Sequence, residues 1–302
     1  MKDATFKPTV LYLIALIICG SNGIVASLIN LPSYQIVFFR MLLGTLFLLT
    51  VKFVQKEAFT IQKYPKDFQA LIGSGIALGL QWTFLFEAYQ LVGVGIATLE
   101  YYCGPVIVMM ALTPLLFGEK FTAKKILGFL VVVIGAALII GYGVGLNLSP
   151  TGLLLGALSA VLYAIMVICN RQLKNVSGIE GTSIQLGIGC AVVALVTIVF
   201  HGIELPADPA SVNWLAVLTI GFFNTGLGSF LYFPQLTKIP VQRVAVFGYL
   251  EPLSAVIFSA LILGEPFGLL KIIGTACIIG GAIFAELSGA SPNKSEAIET
   301  PL

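Results

Sequence analysis

Residues 118–136, GEKFTAKKILGFLVVVIGA, and residues 264–282, GEPFGLLKIIGTACIIGGA, are two copies of one pattern at a constant offset of 146 positions. Gly118/Gly264, Glu119/Glu265, Phe121/Phe267, Lys125/Lys271, Gly128/Gly274 and Gly135/Gly281 are identical, and with one gap Tyr102-Cys103-Gly104-Pro105 falls on Tyr249-Leu250-Glu251-Pro252. An offset near half of the 302 residues means that the chain is two related halves. Working outward, each copy closes a series of apolar stretches, near 9–29, 34–54, 67–88, 95–117, 123–142, 150–171, 181–201, 211–235, 241–263 and 268–288. A helix rises ~1.5 Å per residue, so about 20 apolar residues cross the hydrocarbon core of a bilayer. The expected fold is therefore an all-α integral membrane protein with ten transmembrane helices. Five helices per half is an odd number, so the second half enters from the opposite side. The expected organisation is two inverted five-helix repeats, residues 1–146 and 147–290, with a disordered cytoplasmic tail at 291–302. Such repeats are the geometry of an alternating-access carrier.

Hydrophobic residues make up 58% of the chain and charged residues 10%, with mean hydropathy +1.01. A soluble domain carries about 25% charged residues, which excludes a soluble core. The net charge of +2 is too small to hold nucleic acid, so the expected partners are the lipid bilayer and a small-molecule substrate. The five cysteines, Cys19, Cys103, Cys169, Cys190 and Cys277, lie inside apolar runs without a CxxC pair, and read as packing residues. The single histidine, His201, sits at a loop end and cannot build a metal site; no cofactor is expected. The basic start and long apolar run of the N-terminus continue past signal-peptide length to Leu28, which reads as a retained first span. With the N-terminus cytoplasmic, fourteen of the sixteen basic residues fall in cytoplasmic segments. Only Lys271 lies outside, and Arg40 lies within a span. This bias places both termini in the cytoplasm of a multi-pass protein of the cell membrane.

Arg40 in FFRMLLG on the second span, the run GYLEPLSAVIFSALILGEPFGLLKIIG and its first-half counterpart GPVIVMMALTPLLFGEKF carry a resemblance. Over residues 9–288 the chain resembles the EamA-like family of the drug/metabolite transporter superfamily. It departs from that pattern in the first span, with Cys19-Gly20 where an aromatic residue before glycine is usual. The resemblance implies transport of a small metabolite, usually export, through a central cavity between the halves.

Within the spans, ionisable groups are expensive and mark function. Arg40 lies about six residues below the outer end of its helix, roughly 9 Å deep at ~1.5 Å per residue. Glu100 lies at matching depth on the fourth span, so the two are expected to pair, with Glu87 as the alternative partner. The pair is either substrate-contacting or a structural lock. Glu251, near the midplane and followed by Pro252, either titrates in a proton-coupled cycle or braces the repeat interface. Glu119 and Glu265, at matching helix ends, read as structural residues of the turn. Asn22, Gln81, Trp82, Tyr101, Tyr102, Tyr163, Asn224, Tyr232, Gln235 and Tyr249 are polar or aromatic residues that can line a cavity. The expected substrate-binding set is Asn22, Arg40, Trp82, Glu100, Tyr101, Tyr163, Tyr232 and Glu251. Few strong charges and several tyrosines favour a zwitterionic, amino-acid-like solute over a sugar phosphate. No HExxH, GxSxG or Gly-rich phosphate loop occurs, which argues against an enzyme and against direct ATP drive, and no filter loop suggests a channel. The Gly75/Gly79 and Gly152/Gly156 pairs permit tight helix crossing without defining an oligomer surface.

Overall fold

A long apolar segment in lipid must satisfy its backbone internally, and the helix does so within one segment. The computed structural model describes residues 6–102, 123–145, 148–170, 172–176, 178–202, 209–235, 238–239, 244, 247–266 and 268–289. Among these there are helices and turns but no strand. In chain order the helices are α1 (Phe6–Ser27, interrupted at Ser21), α2 (Ser33–Val54), α3 (Pro65–Val92) and α4 (described over 94–102). There follow α5 (Ala123–Gly145), α6 (Pro150–Asn170), α7 (Gly178–His201), α8 (Trp214–Gln235), α9 (Leu250–Ile262) and α10 (Leu269–Gly289). Among the described residues six of them, α1, α2, α3, α6, α7 and α8, are long and apolar enough to cross a membrane, and Ile126–Ile139, Leu250–Ile262 and Leu269–Ala285 are apolar stretches within α5, α9 and α10. The protein is thus an all-helical, multi-pass membrane protein. Glu119 and the expected tail at 291–302 lie outside the described residues, as does most of the fourth span.

Two boundaries differ from expectation for local reasons. Helix α3 runs four residues further, to Val92, because Gly93 is the first residue able to leave the helix, at φ 86. Helix α9 begins at Leu250 after a turn at Tyr249, so Pro252 stands in its first turn, where the missing N–H costs no helical bond. At its start α8 is capped by Asn213, whose side chain accepts from the Ala216 N–H at 3.1 Å.

Glycine governs the helix contacts. The two helices that carry the sequence repeat, α5 and α10, lie against each other and run antiparallel: Gly128 faces Gly281 and Gly135 faces Gly274. A Cβ on Gly128 would stand 2.7 Å from the Gly281 carbonyl oxygen, and one on Gly135 2.8 Å from that of Gly274. The tight crossings expected at Gly75 and Gly79 are made against α7, at Ile188 and Gly189. Gly152 admits Leu91 and Val92 of α3, and Gly156 admits Glu100 of α4.

Charges at the helix ends tie the elements together. Asp67 Oδ2 accepts from the N–H groups of Lys174, Asn175 and Val176 between α6 and α7. Glu180 accepts from the Thr60 and Ile61 N–H groups at 2.7 and 2.8 Å and pairs with buried Lys52 at 3.2 Å. At the other end Glu265 accepts from the Val94 and Gly95 N–H groups that open α4 and pairs with Lys271 at 3.2 Å. Glu265 therefore acts as the turn residue expected from its place at a helix end. It caps a helix in the other half of the chain.

Candidate functional site

The site begins with two irregular segments that face each other. Helix α1 breaks at Ser21, whose hydroxyl donates to the Ile18 carbonyl at 2.7 Å. Helix α8 widens into a π-helix over Thr219–Leu227, within which the Thr225 hydroxyl donates to the Ile220 carbonyl at 2.8 Å. Asn224, from that wide turn, donates its amide Nδ2 to both the Ile18 carbonyl and Ser21 Oγ, each at 2.8 Å. Single π turns inside α-helices recur at functional sites because they re-aim side chains. Here Asn224 and Thr225, adjacent in sequence, both reach a cavity between the helices.

Arg40 is held by the same segment. Its Nε donates to Thr225 Oγ1 at 3.2 Å, and its guanidinium lies 3.8 Å from the centre of the Trp82 ring and 4.9 Å from that of Phe86. A desolvated cation over an aromatic face gains about 2 kcal/mol, against a cost of at least ~2.5–3.5 kcal/mol for an arginine at the bilayer centre. Gly44, one turn on, makes the approach possible, since a Cβ there would stand 2.6 Å from Thr225 Cγ2.

The cavity has a volume of about 690 Å³. Of the expected set, Asn22, Arg40, Trp82, Tyr101, Tyr163, Tyr232 and Glu251 all line it. Tyr101 and Tyr163 stack with centroids 4.6 Å apart, and Tyr102 stands edge-on to Tyr101 at 4.9 Å. Tyr232 leans on Tyr12 at 5.1 Å, while the Tyr12 hydroxyl donates to the Val244 carbonyl. Gln81 Nε2 lies 3.4 Å from the Tyr101 hydroxyl. Three side-chain oxygens of lining residues, Asn22 Oδ1, Gln81 Oε1 and Asn224 Oδ1, have no hydrogen-bond partner among the described residues. The cavity extends to Asn170, Leu173 and Gly178, where α6 ends and α7 begins.

Glu100 is the correction. It does not line the cavity and does not pair with Arg40: both of its carboxyl oxygens are buried without a partner among the described residues, and Oε2 fills the space left by Gly156. The expected pairing rests on position along each helix, which leaves the direction of each side chain open. Tyr101 and Tyr102 take the cavity side of α4, which turns Glu100 toward α6. The alternative partner, Glu87, instead accepts from the Ser33 hydroxyl. Gln235 and Tyr249 lie outside the lining, whereas Tyr89, Thr98, Thr182, Gln185 and Thr225 belong to it and were not singled out. Threonine and glutamine scattered in apolar helices give no periodic signal. The π-helical stretch that aims Thr225 has no sequence mark either.

A bundle of apolar helices around a largely apolar, aromatic cavity with a few polar groups is an architecture that suits a membrane transporter. The sequence model of the EamA-like transporter family matches residues 7–141 and again 150–287, and the chain belongs to that family. It is a transporter rather than an enzyme. Among its relatives is the uncharacterized transporter YxxF of Bacillus subtilis (strain 168), 27% identical over 89% of this chain and 86% of the relative. The aromatic amino acid exporter YddG of Ancylobacter novellus is 26% identical over 68% of this chain and 71% of its own length. The threonine/homoserine exporter RhtA of Escherichia coli (strain K12) is 22% identical over 99% and 97%. A solved crystal structure superposes with a TM-score of 0.66 at 20% identity, over 94% of this chain and 98% of that one, which speaks for the fold.

Proposed function

We propose that this protein is a secondary carrier that exports a small, amino-acid-like solute across the cell membrane by alternating access. In this reading ten helices form two inverted halves, residues 1–146 and 147–290, and both termini are cytoplasmic. The observation that carries it is the cavity itself. Residues of both halves wall it, and among the described residues it presents one cation, Arg40, and one carboxyl group, Glu251, that form no ion pair with each other. A solute that is neutral overall but carries both signs suits such a wall. Asn22, Arg40, Trp82, Tyr101, Tyr163, Tyr232 and Glu251 are the binding residues.

Three further features support the mechanism. The family model matches the chain twice, near the proposed halves. The glycine contacts of α5 with α10 are reciprocal, as an antiparallel two-fold arrangement of repeats requires. With the N-terminus cytoplasmic, the Asn170–Gly178 end of the cavity faces the cytoplasm, the side from which an exporter loads. Two relatives named as amino acid exporters, YddG and RhtA, lend weight to the solute class. Glu251 is the candidate for proton coupling.

The test is counterflow in liposomes containing the purified protein, screened with labelled amino acids and other metabolites, with and without a pH gradient. Saturable accumulation of an amino acid is expected. Selective exchange of phosphate esters, or flux that does not saturate, would refute the reading.

A further inference from the structure

Adjacent residues of the π-helical turn of α8 do two different things: Thr225 holds Arg40 of α2, and Asn224 turns an amide toward the break in α1. Thr225 takes the Nε of Arg40, so the guanidinium is fixed at one edge, and its carbon lies over the Trp82 and Phe86 rings. Its Nη groups make no hydrogen bond or ion pair with any described residue. Asn224 spends its amide donors on the Ile18 carbonyl and Ser21 Oγ, which fixes the orientation of the amide and leaves Oδ1 buried without a donor. A guanidinium fork is matched to a carboxylate, which it grips through two parallel bonds. An amide oxygen whose neighbouring NH2 is already engaged is matched to a donor, and a buried acceptor left unsatisfied carries a cost that a ligand can relieve.

We infer that the carrier grips an α-amino acid by its backbone, the carboxylate on the Nη groups of Arg40 and the ammonium on Asn224 Oδ1. The assignment rests on the carrier reading above and adds the ligand class and the atoms. An α-amino acid keeps its two charged groups on one carbon, and the protein brings the matching groups together where α2 meets α8: Thr225 holds Arg40, and the next residue, Asn224, supplies the amide oxygen. The adjacent stack of Tyr101 and Tyr163 offers aromatic faces to the solute's side chain. The unpartnered oxygens of Asn22 and Gln81 give the cavity further acceptors for ammonium protons.

The test uses the full-length protein in liposomes, with labelled phenylalanine counterflow competed by three probes that share one ring. Phenylalanine has both groups, 3-phenylpropionate lacks the ammonium and phenethylamine lacks the carboxylate. On the wild type each analogue should compete at least about tenfold more weakly than phenylalanine, the size of one lost charge-assisted bond. With Arg40→Lys, which keeps the charge but loses the fork, the gap between phenylalanine and phenethylamine should shrink to about threefold or less. With Asn224→Leu, 3-phenylpropionate should draw level with phenylalanine while phenethylamine stays weak. A purely structural role would lower activity for all probes alike and leave these ratios unchanged, which overturns the assignment. Should either variant fail to insert, the wild-type series still decides, because equal competition by phenethylamine or 3-phenylpropionate sinks the clamp. Counterflow of another metabolite but of no amino acid would overturn the clamp and leave the carrier standing. No saturable counterflow of any labelled solute would remove both.

Discussion

Glu100 and Arg40 show how differently two buried charges can be used. Arg40 has two aromatic faces, a threonine and an open cavity, so its charge is available to a solute. Glu100 has none of these, and its carboxyl oxygens sit against Gly156 with no donor among the described residues. Replacing an unsatisfied buried polar group by an apolar one of similar shape is often neutral or stabilising. Glu100→Met should therefore keep or raise the thermal midpoint in detergent and leave the solute's half-saturation concentration within about twofold, since a changed ligand contact would cost more. A large rise in that concentration would mean that Glu100 reaches the solute after all. The contrast also marks how far single residues were legible. Composition and depth were enough to find Arg40, Trp82 and the tyrosines, because a polar or aromatic residue inside an apolar helix must face something. Position along a helix says nothing about azimuth, however, and Glu100 turns toward Gly156 of α6 instead of toward Arg40.

Between residues and the whole molecule, the helices are set by where glycine lets backbones approach. In lipid no hydrophobic force drives helix against helix, so close packing of small residues carries much of the association. The α5–α10 seam is the clearest case, with Gly128 on Gly281 and Gly135 on Gly274. A Cβ at any of the four meets a carbonyl oxygen, which cannot swing aside as a side-chain tip can. Gly128→Ala and Gly135→Ala should each cost about 1–3 kcal/mol, the usual size of overpacking. Gly128→Ala combined with Gly281→Ala should cost less than the sum, because once the seam opens for one methyl group it has room for the other. Gly128→Ala with Gly274→Ala, on different contacts, should come closer to adding. Unfolding midpoints of the two doubles and of the single variants at Gly128, Gly135, Gly274 and Gly281 decide it, and full additivity in the first pair would mean that the helices do not meet there. This seam was readable in advance as a repeated glycine pattern, although not as a mutual contact. The π-helical turn of α8 was not readable at all, because a change from four to five residues between bonded groups leaves composition untouched.

At the scale of the molecule the question is whether the two halves are threaded in opposite senses and what drives the cycle. The repeat, the double match to the family and the antiparallel seam all bear on the first part. Single cysteines at Thr122 and Pro266, in a chain whose own cysteines are replaced, give a direct measurement. A membrane-impermeant thiol reagent added to intact cells should label the variant at 266 and spare the one at 122. Labelling of both from one side would end the inverted-repeat reading. The drive can be separated from the binding step because counterflow needs no net proton movement. If Glu251 carries a proton in exchange for solute, acidifying the receiving side should speed net efflux from wild-type liposomes. Glu251→Gln, close in shape and unable to ionise, should lose that acceleration while still exchanging labelled for unlabelled solute. A variant that keeps its response to the gradient would assign the proton to another group. One that loses exchange even at saturating solute would confine Glu251 to the solute contact proposed for it on the cavity wall, and leave the proton to another group.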